Sequence, residues 1–181
     1  MSICLLEEQV GNLLRTRGMK LTLAESCTGG LVGHRITNIP GSSDYYLGSI
    51  TAYAYEVKEN LLGVKHETLQ NHGAVSKQTV IEMARGVRQA LSGGFPLSSI
   101  LGVSISGIAG PGGGLPEKPV GTVWIGMSSP EGDWAWRFLW KGDRIKNKED
   151  SAQAALQLII YYLQEKLPGE DWCIWDGSKK G

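Results

Sequence analysis

The sequence has no excess of charge of either sign, no long apolar run and no obvious set of metal ligands, and each absence excludes a class of function. Its 18 Lys and Arg are balanced by 18 Asp and Glu across 181 residues. There is thus no broad basic field of the kind that holds a nucleic-acid backbone. No segment approaches the roughly 18 consecutive apolar residues that span a bilayer, and the N-terminal stretch carries Glu7 and Glu8 where a signal peptide is basic. The expected location is the cytoplasm, with neither nucleic acid nor membrane as a partner. Only three cysteines occur, Cys4, Cys27 and Cys173, and no CxxC pair is among them, which argues against a disulfide framework and a zinc knuckle. His34, His66 and His72 lack the spacing of a helical zinc motif, and no carboxylate cluster suits a catalytic metal. Neither a metal nor a cofactor is expected. No internal repeat or linker is visible.

What is present is material for one compact domain: 41% of the residues are apolar. We expect this domain over residues 1–167, with a polar tail at 168–181 in which Trp172 and Trp175 are candidate anchors. Leu5, Leu6, Val10, Leu13 and Leu14 recur at helical spacing, so residues 4–17 read as a helix stopped by Gly18. A strand at Leu21–Ala24, a polar loop at Ser26–Gly30 and a helix at Leu31–Thr37 follow. Tyr45–Tyr55 reads as a strand and Val57–Leu62 as a short helix closed by Gly63. Ser76 is a candidate N-cap for an apolar stripe of Val80, Met83, Ala84, Val87 and Leu91. Ile100–Ile105 and Val120–Met127 are apolar runs of strand length. Trp134, Trp136, Phe138 and Trp140 alternate, which puts them on one face of a further strand. Cover by helices is the first reading of that face, a subunit interface the second and stacking on a ligand the third. Ala152, Ala155, Leu156, Ile159, Ile160 and Leu163 define a closing helix. The alternation of types predicts a three-layer α/β/α domain with a mixed sheet.

Three segments carry candidate chemistry. Glu25-Ser-Cys-Thr-Gly-Gly30 joins a strand to a helix, so its N–H groups and hydroxyls converge where an anion is favoured; short glycine loops also serve merely as turns and caps. Cys27 has no adjacent histidine and reads as a small structural residue. Ser106-Gly107 opens a glycine-rich stretch that follows a buried strand, where ligands collect in open α/β sheets. It matches neither a Walker loop nor a dinucleotide fingerprint. Ser43 and Lys58 stand fifteen residues apart across a strand. On spacing alone, Ser42 or Ser43 caps a turn and Lys58 solvates a short helix.

Taken together, Ala24-Glu-Ser-Cys-Thr-Gly-Gly30, Pro40-Gly-Ser-Ser43, Tyr53 with Lys58, His72-Gly-Ala-Val-Ser76, Ser106-Gly-Ile-Ala-Gly-Pro111, Lys118-Pro-Val-Gly-Thr122 and Gly142-Asp-Arg144 closely resemble the CinA C-terminal domain family, in family order across about residues 5–165. The chain looks like the stand-alone form, without the preceding molybdopterin-binding-like domain of some members. The resemblance implies the same α/β/α fold, usually as a homodimer. It also implies a hydrolase that converts nicotinamide mononucleotide to nicotinate mononucleotide and ammonia in pyridine nucleotide salvage.

By the resemblance, Ser43 is the nucleophile and Lys58 its base, with Ser26 and Tyr53 completing the catalytic group. Ser106, Gly107 and Arg144 line the substrate, Arg144 or Lys118 taking the phosphate. The Thr28, Gly29 and Gly30 turn is expected to supply N–H groups to a tetrahedral oxyanion. Two departures stand out: Ala54 and Tyr55 replace small polar residues between the motif tyrosine and lysine, and Lys148 replaces a second arginine. The rival reading is a nucleotide-binding module of the same family with little turnover. A more distant one is a phosphatase or pyrophosphatase, which needs metal.

Overall fold

The structure, a computed structural model, describes residues 5–169. Cys4, Cys173, Trp172 and Trp175 lie outside the described residues, as does nearly all of the expected tail. In chain order the elements are α1 (Leu6–Arg17), β1 (Lys20–Glu25), α2 (Leu31–Thr37), β2 (Tyr46–Thr51), α3 (Tyr55–Leu62), α4 (His66–His72), α5 (Lys77–Ala90), β3 (Ile100–Gly107), β4 (Thr122–Ser129), β5 (Gly132–Leu139) and α6 (Arg144–Leu163). The sheet runs β2-β1-β3-β4-β5. β1 is parallel to both β2 and β3, whereas β4 is antiparallel to β3 and β5. The sheet is therefore mixed, as expected.

Alternation along β4 divides the layers. Val123, Ile125 and Met127 belong to a core shared with α1, α2 and α6, while Gly126, on the opposite face, comes close to the Val80 carbonyl of α5. The Trp134–Trp140 series faces α6: Trp136, Phe138 and Trp140 are buried, and Trp134 packs at 6.1 Å from Tyr162. The helix-covered reading of this face holds. Trp140 also donates its ring N–H to Ser151 Oγ at 2.9 Å, which satisfies a buried indole. At α5, Ser76 Oγ accepts from Thr79 N, a cap of the kind worth about 1 kcal/mol. Arg35 of α2 pairs with Glu7 of α1 and with Gln153 of α6, tying together the three helices of one layer.

The structure differs from the sequence expectations at three boundaries. β2 ends at Thr51 and α3 begins at Tyr55, so Tyr53 lies in a connection rather than in a strand. A short helix, α4, fills what had read only as a chain reversal; its polar surface gives no clear apolar stripe. The closing helix begins at Arg144, eight residues before the first of its regular apolar positions. Its first turn, in which Ile145 is the one apolar residue and is exposed, borders a cavity and solvent. Among the described residues no helix is long and apolar enough to cross a membrane.

Close approach rather than turn geometry explains Gly86 in α5. A Cβ there would lie 1.8 Å from the Leu62 carbonyl oxygen at the end of α3. Alanine gains about 1 kcal/mol of helix propensity over glycine, but backbone blocks this site, and overpacking typically costs about 1 to 3 kcal/mol or more. Gly86→Ala is thus expected to lower stability in urea unfolding by about 1 to 3 kcal/mol. Gly112→Ala, with nothing within 4 Å of its Cβ, is expected to stay within about 0.5 kcal/mol. Equal midpoints for the two variants would refute the packing argument.

Candidate functional site

The three parallel strands all point one way, so the ends of β1, β2 and β3 form a common rim, the place where open α/β sheets leave a crevice. Pairing continues past the strands: Ser26 N–H donates to Ile105 O at 2.9 Å and Ala52 N–H to Glu25 O at 2.8 Å. These bonds fix Ser26, Ala52 and Ser106 side by side. A cavity of about 260 Å³ opens there, bounded by Ser26, Cys27, Tyr53, Lys58, Ala74 and Val75, by Ser106 to Gly113 apart from Pro111, and by Arg144.

Lys58 projects from α3 into this rim and is only 1% exposed. Its Nζ lies 2.6 Å from Ala52 O, 3.2 Å from Tyr53 O and 3.1 Å from Ser26 Oγ. All three are neutral oxygens, so burial is not offset by an ion pair. The ammonium form is accordingly disfavoured, and the Lys58 pKa is lowered from 10.5 to about 8. In the neutral amine, two N–H groups suffice for the two carbonyls, which leaves the lone pair for the Ser26 hydroxyl hydrogen. The bland sequence reading, a lysine solvating a short helix, is overturned by this burial.

Ser43 is elsewhere. It sits exposed in a single 3-10 turn, Ser42–Asp44, before β2, whereas Lys58 follows that strand. Six strand residues at about 3.3 Å each separate the two ends by roughly 20 Å. The expected Ser43–Lys58 pair is therefore not formed, and the hydroxyl that meets the amine is Ser26. Asp44, next to Ser43, is instead engaged by Arg15 at 3.2 Å, a surface pair that fixes the turn.

The Thr28–Gly30 turn also departs from expectation. Glu25, fully buried, turns its carboxylate onto the N-terminus of α2 and accepts from Gly30 N at 3.0 Å, Val32 N at 3.1 Å and Gly33 N at 2.9 Å. Gly29 N–H goes to Ser26 O. An internal anion thus fills the place where an external one would bind, and Thr28, Gly29 and Gly30 do not line the cavity. Glu25 was not singled out by the sequence reading. A signal existed: a carboxylate five residues before the glycine at a helix N-terminus is within reach of the orphan amides.

Ser106, Gly107 and Arg144 do line the cavity. Ser106 Oγ donates to Ala74 O at 2.7 Å. Arg144, the first residue of α6, donates from Nη1 to Gly110 O at 2.6 Å and from Nη2 to the Tyr53 hydroxyl at 3.1 Å. Tyr53 is 62% exposed, so the pair forms the mouth. Lys118 does not line the cavity; its Nζ donates to His72 O at 2.7 Å. Lys148 lies beside the glycine turn, 3.9 Å from where a Gly29 Cβ would be. Asn147, unmarked in the sequence, is 1% exposed and holds Ala109 O at 3.0 Å. Among the described residues no group of His, Cys, Asp and Glu is arranged to hold a metal.

The family model of the CinA C-terminal domain matches residues 4–163. A CinA-like protein of Salinibacter ruber is 49% identical over 152 residues, covering 84% of this chain and 35% of that protein. The chain thus spans little more than a third of the length of that relative. The nicotinamide-nucleotide amidohydrolase PncC of Shigella flexneri is 45% identical over 155 residues, covering 85% of this chain and 90% of that one. Among solved structures, a CinA superfamily protein from Klebsiella pneumoniae superposes with a TM-score of 0.82 at 32% identity, over 88% of this chain and 96% of the other.

Cys27 borders the same cavity, but burial pushes its thiol up to about 12, so the reactive thiolate is scarce near neutral pH. Iodoacetamide at pH 7.5 is expected to leave the Cys27 peptide unmodified in the folded protein and to label it after unfolding in urea. Rapid labelling of the native protein at Cys27, read by peptide mass spectrometry, would contradict an inert thiol.

Proposed function

The chain belongs to the CinA C-terminal domain family, and from that premise we propose that it hydrolyses the carboxamide of nicotinamide mononucleotide to nicotinate mononucleotide and ammonia, with Ser26 as nucleophile and Lys58 as base. The observation that carries this reading is the buried amine 3.1 Å from the Ser26 hydroxyl. The similarity to the Shigella amidohydrolase supports the choice of amide. The reading places the reaction in the cytoplasm, as a salvage step.

In the proposed reaction Ser26 Oγ attacks the carboxamide carbon while neutral Lys58 takes the hydroxyl proton. The tetrahedral intermediate then collapses, the C–N bond breaks, and the Lys58 ammonium returns a proton to the departing ammonia. The resulting ester is attacked by water, whose proton again passes to Lys58 and then to Ser26 as the acyl bond breaks. Arg144 is suited to the phosphate: two of its five N–H donors are used within the protein, and the rest can meet a phosphate at the mouth.

The test is ammonia release from nicotinamide mononucleotide, with nicotinamide riboside and nicotinamide in parallel. Ser26→Ala and Lys58→Met are each expected to lower kcat by about a thousandfold or more, and the double variant scarcely further, because the two act as one unit. Ser43→Ala is expected to remain near the unaltered rate. A folded Ser26→Ala protein with ordinary turnover would discard the assignment. Tight nucleotide binding by the unaltered protein without ammonia release would favour a binding module.

The pH profile supplies a second check. Only the neutral amine accepts a proton, and it makes up about a tenth of Lys58 at pH 7 if the midpoint is about 8. The value of kcat/KM is therefore expected to rise with pH through a midpoint near 8 and level off above it. A flat profile between pH 7 and pH 9.5 would remove Lys58 as the base.

A further inference from the structure

Asn147 lies in the first turns of α6 and is 1% exposed. Its side chain bridges two segments. Nδ2 donates to Ala109 O at 3.0 Å, and Oδ1 accepts from Gly142 N at 3.0 Å. Ala109 belongs to the glycine-rich wall of the cavity, and Gly142 leads into Arg144. One buried amide therefore locks the cavity wall to the helix start that presents the guanidinium. Arg144 repeats the link one residue further on by donating to Gly110 O.

We propose that Asn147 is a positioning residue: without touching substrate, it sets the distance between the Ala109–Gly113 wall and Arg144, and hence the fit of the phosphate-bearing part of a nucleotide. The chemistry of the side chain is specific to this task. A carboxamide carries a donor at one end and an acceptor at the other, which matches a carbonyl on one side and an amide N–H on the other. Aspartate keeps the second contact and turns the first into two oxygens facing each other. Alanine loses both. Backbone bonds between Ile108 and the Gly121–Thr122 segment hold the near end of the wall, whereas beyond it Gly110 has a φ of 90° and Gly113 of 86°, and residues 111–117 are exposed. The Lys58–Ser26 pair stands on α3 and on the residue that follows β1, which the Asn147 bonds do not reach. The consequence should therefore fall on binding rather than on the chemical step. This inference rests on the reading of the site given above.

The test uses Asn147→Asp and Asn147→Ala in the full chain, with two readouts. Amide hydrogen exchange over residues 107–114 monitors the wall whatever the substrate. Both variants are expected to exchange faster there by tenfold or more, with β1 and α3 unchanged. Kinetics with nicotinamide mononucleotide are expected to show KM raised about tenfold and kcat within about threefold, the signature of lost positioning in binding. Unchanged exchange in both folded variants would overturn the clamp, as would a fall in kcat at constant KM. Should Asn147→Asp fail to fold, Asn147→Ala alone decides by the same two readouts. If the unaltered protein releases no ammonia from nicotinamide mononucleotide, the proposed function fails, while the exchange data still decide whether Asn147 holds the wall.

Discussion

A buried amine held by neutral oxygens is the constraint on which the rest of the site depends. Taking an ammonium out of water is costly unless an opposite charge accompanies it. Around Lys58 the protein supplies two backbone carbonyls and a serine hydroxyl. A carboxylate in that place would have stabilised the charged form and kept the amine protonated, and so unable to accept a proton, near neutral pH. The carbonyls come from Ala52 and Tyr53, just past the end of β2, and the hydroxyl from Ser26, just past the end of β1. The sheet register that sets those ends next to each other is therefore also what sets the acid–base properties of the amine.

The opposite solution appears a few residues away. Glu25 is buried, and its carboxylate is met by three amide N–H groups at the start of α2. Amide N–H groups and the dipole at a helix N-terminus are favourable partners for a carboxylate. The arrangement does two things. It makes the Ser26–Thr28 turn rigid, because both the residue before it and the helix after it are bound to one side chain. It also closes the most obvious anion site in the sequence to any ligand, leaving the Arg144 side of the cavity as the cationic one.

Periodicity made most of the fold legible. The apolar stripe of α5, the continuous runs of β3 and β4 and the alternation in β5 are direct consequences of which faces are covered, and each was readable at nearly its observed extent. Boundaries failed where burial does not set composition. Tyr53 and Tyr55 have strand-like side chains but lie outside β2, and the first turn of α6 lacks a buried apolar stripe because it borders a cavity. Of the residues named from the sequence, Ser26, Tyr53, Lys58, Ser106, Gly107 and Arg144 line the cavity and Ser43, Thr28, Gly29 and Gly30 do not, and the side chain that meets Lys58 was not the one expected. Ser43 and Lys58 flank one strand, and residues that flank a strand sit at opposite edges of its sheet. Ser26 and Lys58 follow two parallel neighbours and so share an edge. That rule was available from the sequence, once β1 and β2 were taken as parallel. Asn147 had no sequence signal, since its two hydrogen-bond partners are brought to either side of it only by the fold.

The start of α6 contains a conflict that stability alone does not explain. Arg144 occupies the first helical position, where the partial positive charge of the helix N-terminus disfavours a cation, and no acidic residue stands in that first turn. Asp143 at the N-cap, accepting from Lys146 N at 2.8 Å, relieves part of the repulsion. The guanidinium relieves more by bonding to Gly110 O and Tyr53 Oη, both neutral. What remains is a guanidinium placed at the N-terminus of a helix and at the mouth of a cavity. A local rule broken in this manner tends to mark a functional site. An anionic group bound there would meet the guanidinium and the helix terminus together, and would offset the repulsion between them. The proposed phosphate therefore answers an electrostatic cost already present in the protein, whereas an uncharged amide alone would leave it standing.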